Sequence, residues 1–113
     1  MRLDRLKAFA LGLPQTTTVN QWGGLVFKVA GKVFLIIPLD GGVMNGLTVK
    51  CAPEEFDELT QRDGIGQAPY CAKRLWVRAE EDALPEAELL RRIRRSYDLV
   101  AAKLPKKVQA TLR

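Results

Sequence analysis

The chain has no histidine and only two cysteines among its 113 residues. The first absence removes the side chain that most often moves protons near neutral pH, and with it histidine triads and most zinc-ligand patterns. Cys51 and Cys71, in a chain without an export signal, make no disulfide framework and read as structural or incidental thiols. Long apolar runs are also missing. The strongest, residues 33–39 (VFLIIPL), is far too short to span a bilayer, and the opening MRLDR carries acid where a secretory signal needs an apolar stretch. The expectation is a cytoplasmic protein with no membrane association, no metal and no cofactor.

Motifs for nucleotide chemistry are absent as well. Gly64 and Gly66 fall in a loop expected over 63–69, but neither GxxxxGK[ST] nor a dinucleotide fingerprint surrounds them. Glu54, Glu55, Asp57 and Glu58 read as the solvated side of a short helix, because nothing near them would tune one carboxyl as an acid. Tyr70, Cys71, Tyr97 and Lys50 are too scattered to imply a nucleophile, base and orienting group. No enzymatic activity is expected.

What is present is an ordinary globular composition, and the length suits one domain over 1–113 with a real core. Its centre is residues 22–50, WGGLVFKVAGKVFLIIPLDGGVMNGLTVK. Residues 25–29 and 32–38 are rich in β-branched and aromatic side chains, are separated by Ala30-Gly31, and are followed by Asp40-Gly41-Gly42. Three antiparallel strands in a meander follow, the third running through to Lys50. Alternation puts Leu25, Phe27 and Val29 on one face and Val26 and Lys28 on the other. The second strand, apolar on both sides, should be central. The first and third, carrying Lys28, Asn45, Thr48 and Lys50, should lie nearer solvent.

Around this centre the periodicity predicts helices over 2–11, ended by Gly12 and Pro14, and over 53–62, opened by Pro53 with acids in its first turn. Residues 16–20 read as a polar approach to the sheet. Trp22, beside Gly23-Gly24, is expected to seal one end of the core. Residues 73–79 read as a later strand with Leu75, Val77 and Ala79 on one face and Arg74, Trp76 and Arg78 on the other. Such an aromatic between guanidinium groups suits either nucleic-acid contact or packing beneath a helix. The strongest helix is 85–103, with Leu89, Leu90, Ile93, Tyr97, Val100 and Leu104 forming an apolar stripe to lie across the sheet. Arg91 and Arg95 point away from that stripe. Pro105 starts a short terminal helix.

The net charge of +5 is not evenly spread. Residues 1–72 hold seven basic and seven acidic side chains, so the whole excess falls in the last 41 residues. An anionic partner is favoured if those cations converge.

WGGLVFKVAGKVFLII, TVKCAPEEF, KRLWV and LLRRIRRSYDLVAAKLPKKV, in that order, resemble the MmcQ/YjbR family of small bacterial proteins. The matching positions include Trp22, Phe27, Gly31-Lys32, Phe34, Lys50, Pro53, Trp76, Ser96-Tyr97 and Leu104-Pro105. The resemblance implies an α/β (α+β) CyaY-like fold, an antiparallel sheet covered by N- and C-terminal helices, described as a double-wing DNA-binding module. It makes Lys28, Lys32 and Lys50 candidate contacts on or beside the sheet, extended by Arg74 and Arg78; to these the reading of the residues themselves adds Trp76 between the two arginines, and Arg91 and Arg95 on the helix. APYCAK at 68–73 replaces the more polar approach frequent in the family, which argues against binding through that loop. A frataxin-like iron role is not implied, since the chain is basic and lacks histidine. The expected activity is non-enzymatic contact with backbone phosphates of double-stranded DNA; the alternative is a module that recruits a protein partner. A monomer or weak homodimer is expected.

Overall fold

The computed structural model describes residues 2–112; the single-domain expectation over 1–113 also took in the two end residues, which lie outside that range. In chain order the elements are α1 (Arg2–Leu11), β1 (Thr16–Gln21), β2 (Gly24–Val29), β3 (Lys32–Asp40), β4 (Val43–Met44), β5 (Leu47–Lys50), α2 (Pro53–Thr60), β6 (Ile65–Gln67), β7 (Trp76–Ala79), α3 (Glu86–Ala101) and α4 (Lys106–Gln109), followed by a short 3₁₀ turn at Ala110–Leu112. The strands form an antiparallel sheet in the order β1-β2-β3-β5-β7-β6, with β4 pairing the end of β3. Helices α1 and α3 cover one face, so the expected α+β arrangement holds.

Three two-residue turns set the register of the first half. Trp22-Gly23, Ala30-Gly31 and Gly41-Gly42 all have positive φ at both central positions, as a type I′ hairpin turn requires. Turns of this mirror-image kind follow the right-handed twist of the strands, and the positive φ they need is why glycine recurs there. Residues 16–20, expected as an irregular approach, extend instead as β1 along β2, with Thr16 opposite Val29 and Val19 opposite Val26. Strand β2 is consequently internal and almost wholly buried, not near solvent. The expected third strand breaks at Asn45-Gly46 into β4 and β5. A Cβ on Gly46 would lie 2.6 Å from the Ala79 carbonyl oxygen, so only glycine allows β7 this close. Within the expected 63–69 loop, β6 adds an edge strand to β7.

The core lies between sheet and helices. Leu6 and Ala10 of α1 and Leu89, Ile93, Tyr97 and Val100 of α3 meet Phe27, Leu35, Ile37 and Val49. A bulge makes Phe34 an extra residue in β3, since Phe27 pairs Leu35 while Lys28 pairs Val33. Its ring meets Tyr97 edge-on, 5.3 Å between centroids, and both are buried. This leaves Val33, Ile36 and Pro38 on the face that no helix covers.

Candidate nucleic-acid interface

The open face of the sheet is a groove of about 730 Å³. Its floor is apolar, from Val33, Ile36 and Pro38 of β3, and Trp76 and Arg78 of β7 form one wall with the buried Thr48 of β5 beside them. Trp22, from the first hairpin turn, and Pro69, Tyr70 and Cys71, from the β6–β7 loop, make the rim. A second depression of about 360 Å³ lies where the end of α3 meets the sheet, lined by Lys32, Lys50 and Lys103 with Val33, Trp76, Val100 and Leu104. Val33 and Trp76 line both, so the two depressions adjoin.

Electrostatics separate the parts of this surface. Among the described residues every Lys, Arg, Asp or Glu lining either depression is a cation: Arg78, Lys32, Lys50 and Lys103. Burial, and after it the charge of Lys103, lowers the pKa of Lys50. Lys28 stands opposite Val33, beside the groove. Arg78 donates to the Asn45 carbonyl at 2.9 Å, which fixes its guanidinium and leaves its other donors uncommitted among the described residues.

The remaining expected contacts go elsewhere. Arg74 does not share the strand face of Trp76 and Arg78: it precedes β7, has φ of 66°, and forms a two-pronged ion pair with Asp57 of α2 at 3.0 and 2.9 Å. The Arg74 hydrogen bond holds the exposed Asp57 carboxyl below its ordinary pKa. Arg95 pairs with Glu55, and Arg91 is exposed on the outer side of α3. Because α3 packs on the covered face, that outer side and the open sheet face look in opposite directions. A single surface built from the sheet cations together with Arg91 and Arg95 is not formed.

Two rim residues run against the sequence expectation. Trp22 does not seal the core; it is 68% exposed. The 68–73 loop, argued against as a binding element, carries the fully exposed Tyr70 and the half-buried Cys71 onto the groove. The Gln67 side chain holds that loop from within, donating to the Ala68 carbonyl at 2.9 Å and accepting from the Arg74 N–H at 2.9 Å. Tyr70 and Trp22 both have positive φ, 61° and 54°, a conformation disfavoured for large side chains. The signal available in the sequence for Trp22 was its place before Gly23, the first position of a two-residue turn.

Among the described residues no group of three or more His, Cys, Asp or Glu can hold a metal ion, and no helix is long and apolar enough to cross a membrane. The YjbR family model matches residues 11–99, from the end of α1 through most of α3. The chain belongs to the YjbR family. A crystal structure of Deinococcus radiodurans protein DR2400, with a DUF419 domain, is similar at 26% identity and a TM-score of 0.85, covering 97% of this chain and 86% of that one. A crystal structure of a Pseudomonas syringae protein shares the fold at 20% identity and a TM-score of 0.70, covering 88% and 98%. No curated protein matches the sequence. YjbR membership fits a non-enzymatic chain and is consistent with a nucleic-acid-binding role in general.

Proposed function

We propose that this YjbR protein is a non-enzymatic module that binds double-stranded DNA with the open face of its sheet. The observation that carries the reading is that the charged side chains lining the two depressions on that face are all cations, on a family background consistent with nucleic-acid binding. Lys28, Lys32, Lys50 and Arg78 contact backbone phosphates, and Trp76 stands between the two depressions that they border. Arg74, held by Asp57, serves the fold, and Arg91 and Arg95 belong to the opposite side.

Phosphate contacts release condensed counterions, so affinity for a mixed-sequence duplex should fall steeply with salt, by roughly 0.9 in log–log slope per contact. Fluorescence anisotropy from low to moderate salt, on the native chain and on a variant carrying Lys28→Glu, Lys50→Glu and Arg78→Glu, tests this. Binding that is absent, salt-independent or untouched by the reversals rejects the assignment. A protein-recruiting module is the second reading, favoured by the exposed Trp22 and Tyr70 beside an apolar floor. It predicts partner capture that survives nuclease.

A further inference from the structure

The larger depression offers a phosphate one cation, Arg78, and is otherwise built for something else. Its floor is aliphatic, and its rim is two aromatic side chains that stand in solvent on backbones of positive φ. Each aromatic is held up by a built feature: Trp22 by a hairpin turn whose second residue is Gly23, Tyr70 by a loop tied through the Gln67 amide. Exposure of such rings, at a cost in local strain, suits a flat partner that lies against them. Trp76 links this aromatic pocket to the three-lysine depression, where Lys32, Lys50 and Lys103 face no lining carboxylate.

We infer that the groove captures one unpaired nucleobase, stacked among Trp22, Tyr70 and Trp76, while the adjoining phosphate sits in the pocket of Lys32, Lys50 and Lys103. The partner is nucleic acid with a base out of its stack, such as a bulge or a single-stranded segment. The volume of about 730 Å³ is ample for one base. Stacking accepts any base, because every base offers a π-face, so the preference is for unpairing and not for sequence. Arg78 and the Thr48 hydroxyl are the polar groups that reach the same space. The inference rests on the nucleic-acid reading above but adds a choice of substrate within it.

The test compares a labelled intact DNA duplex, the same duplex with one extra unpaired adenine, and the unpaired strand alone as DNA and as RNA. The expected result is ~10-fold tighter binding of the bulged duplex than of the intact one, the lower end of what one base–aromatic stack contributes. Trp22→Asn and, separately, Tyr70→Gly should each bring the bulged duplex toward the intact one. Both replacements suit positive φ, so loss of folding does not confuse the outcome. In Trp22→Asn the sole remaining tryptophan is Trp76, and its fluorescence should quench on bulged but not on intact duplex. Equal affinity for bulged and intact duplex overturns the base pocket and leaves duplex binding standing. No binding to any of the four overturns both, and preference for the RNA strand over the DNA strand shows that the pocket's partner is RNA.

Discussion

The Ser96 hydroxyl donates to the Phe34 carbonyl at 2.6 Å, in the interior of the domain. It also accepts from the Lys50 N–H at 2.8 Å. One hydroxyl from α3 thus bridges β3 and β5 just beyond Leu35 and Val49, the last pair of their ladder at this end. The bulge at Phe34 takes its carbonyl out of the ladder, and buried backbone groups need partners. The contact fixes the point from which Lys50 leaves the sheet.

Ser96→Ala should therefore destabilise strongly for so small a change. Two buried backbone groups lose their partner, and each such loss costs about 1–3 kcal/mol. A fall of about 2–4 kcal/mol in chemical denaturation is expected, against under about 0.5 kcal/mol for the exposed Ala102→Ser.

Glu55 is the electrostatic counterpart of Ser96. Its carboxylate accepts from the Ala52 N–H at 2.9 Å, closing the start of α2, and pairs with Arg92 at 3.1 Å and Arg95 at 3.3 Å. Burial raises its pKa, but the Arg92 and Ala52 hydrogen bonds outweigh it and hold the carboxyl at about 2, against an ordinary 4.5. A depressed carboxyl stabilises the fold above its unfolded pKa and loses that contribution as pH falls through the folded one. The stability difference between the native chain and Glu55→Gln should thus be full above about pH 5 and shrink between pH 4.5 and 2. At neutral pH about 1–3 kcal/mol is expected, because Arg92 is left largely buried without its counter-ion. Urea melts of both proteins from pH 7 down to pH 2 measure it.

Much of the scaffold was legible because local chemistry and tertiary packing agree. The α3 stripe of Leu89, Ile93, Tyr97 and Val100 is the buried face, and Ala30-Gly31 is the turn that its composition implies. Strand β1 could have been read from the β-branched run Thr16–Val19, which polarity concealed. Other features had no local signal. Strand β6 exists because β7 offers an edge, and Arg74 leaves the β7 face because Asp57, seventeen residues earlier, takes its guanidinium. Side-chain alternation says which residues share a strand face, but not that a helix's outer face looks away from it. That is why the sequence alone names Arg91 and Arg95 as candidate contacts without telling whether they converge with the sheet cations.

The turn at Trp22 gives a stability prediction with an unusual sign. Trp22 occupies the first central position of a type I′ turn followed by Gly23, where asparagine is favoured and a bulky residue is strained. The ring is mostly exposed, so little packing is lost with it. Trp22→Asn should raise stability by about 1 kcal/mol, or about 4–8 °C in Tm, in calorimetry. An equal loss would mean that the indole contributes to the core after all.

The two thiols provide a footprint of the groove without altering it. Cys71 lies on its rim and is half-buried, whereas Cys51 is in the core with its sulfur 3.9 Å from the Arg74 carbonyl oxygen. Burial raises the pKa of each thiol above the ordinary 9. Only the thiolate alkylates, so labelling should be slow at neutral pH and accelerate as pH rises through and beyond that value. Iodoacetamide on the folded chain should therefore modify Cys71 first and Cys51 only on unfolding, as peptide mass spectrometry can read. Saturating DNA should slow the Cys71 reaction about tenfold if the groove is the contact surface, since affinity controls occupancy. Unchanged labelling at saturation would move the interface off this face, and faster labelling of Cys51 would mean that binding opens the core between β5 and α2.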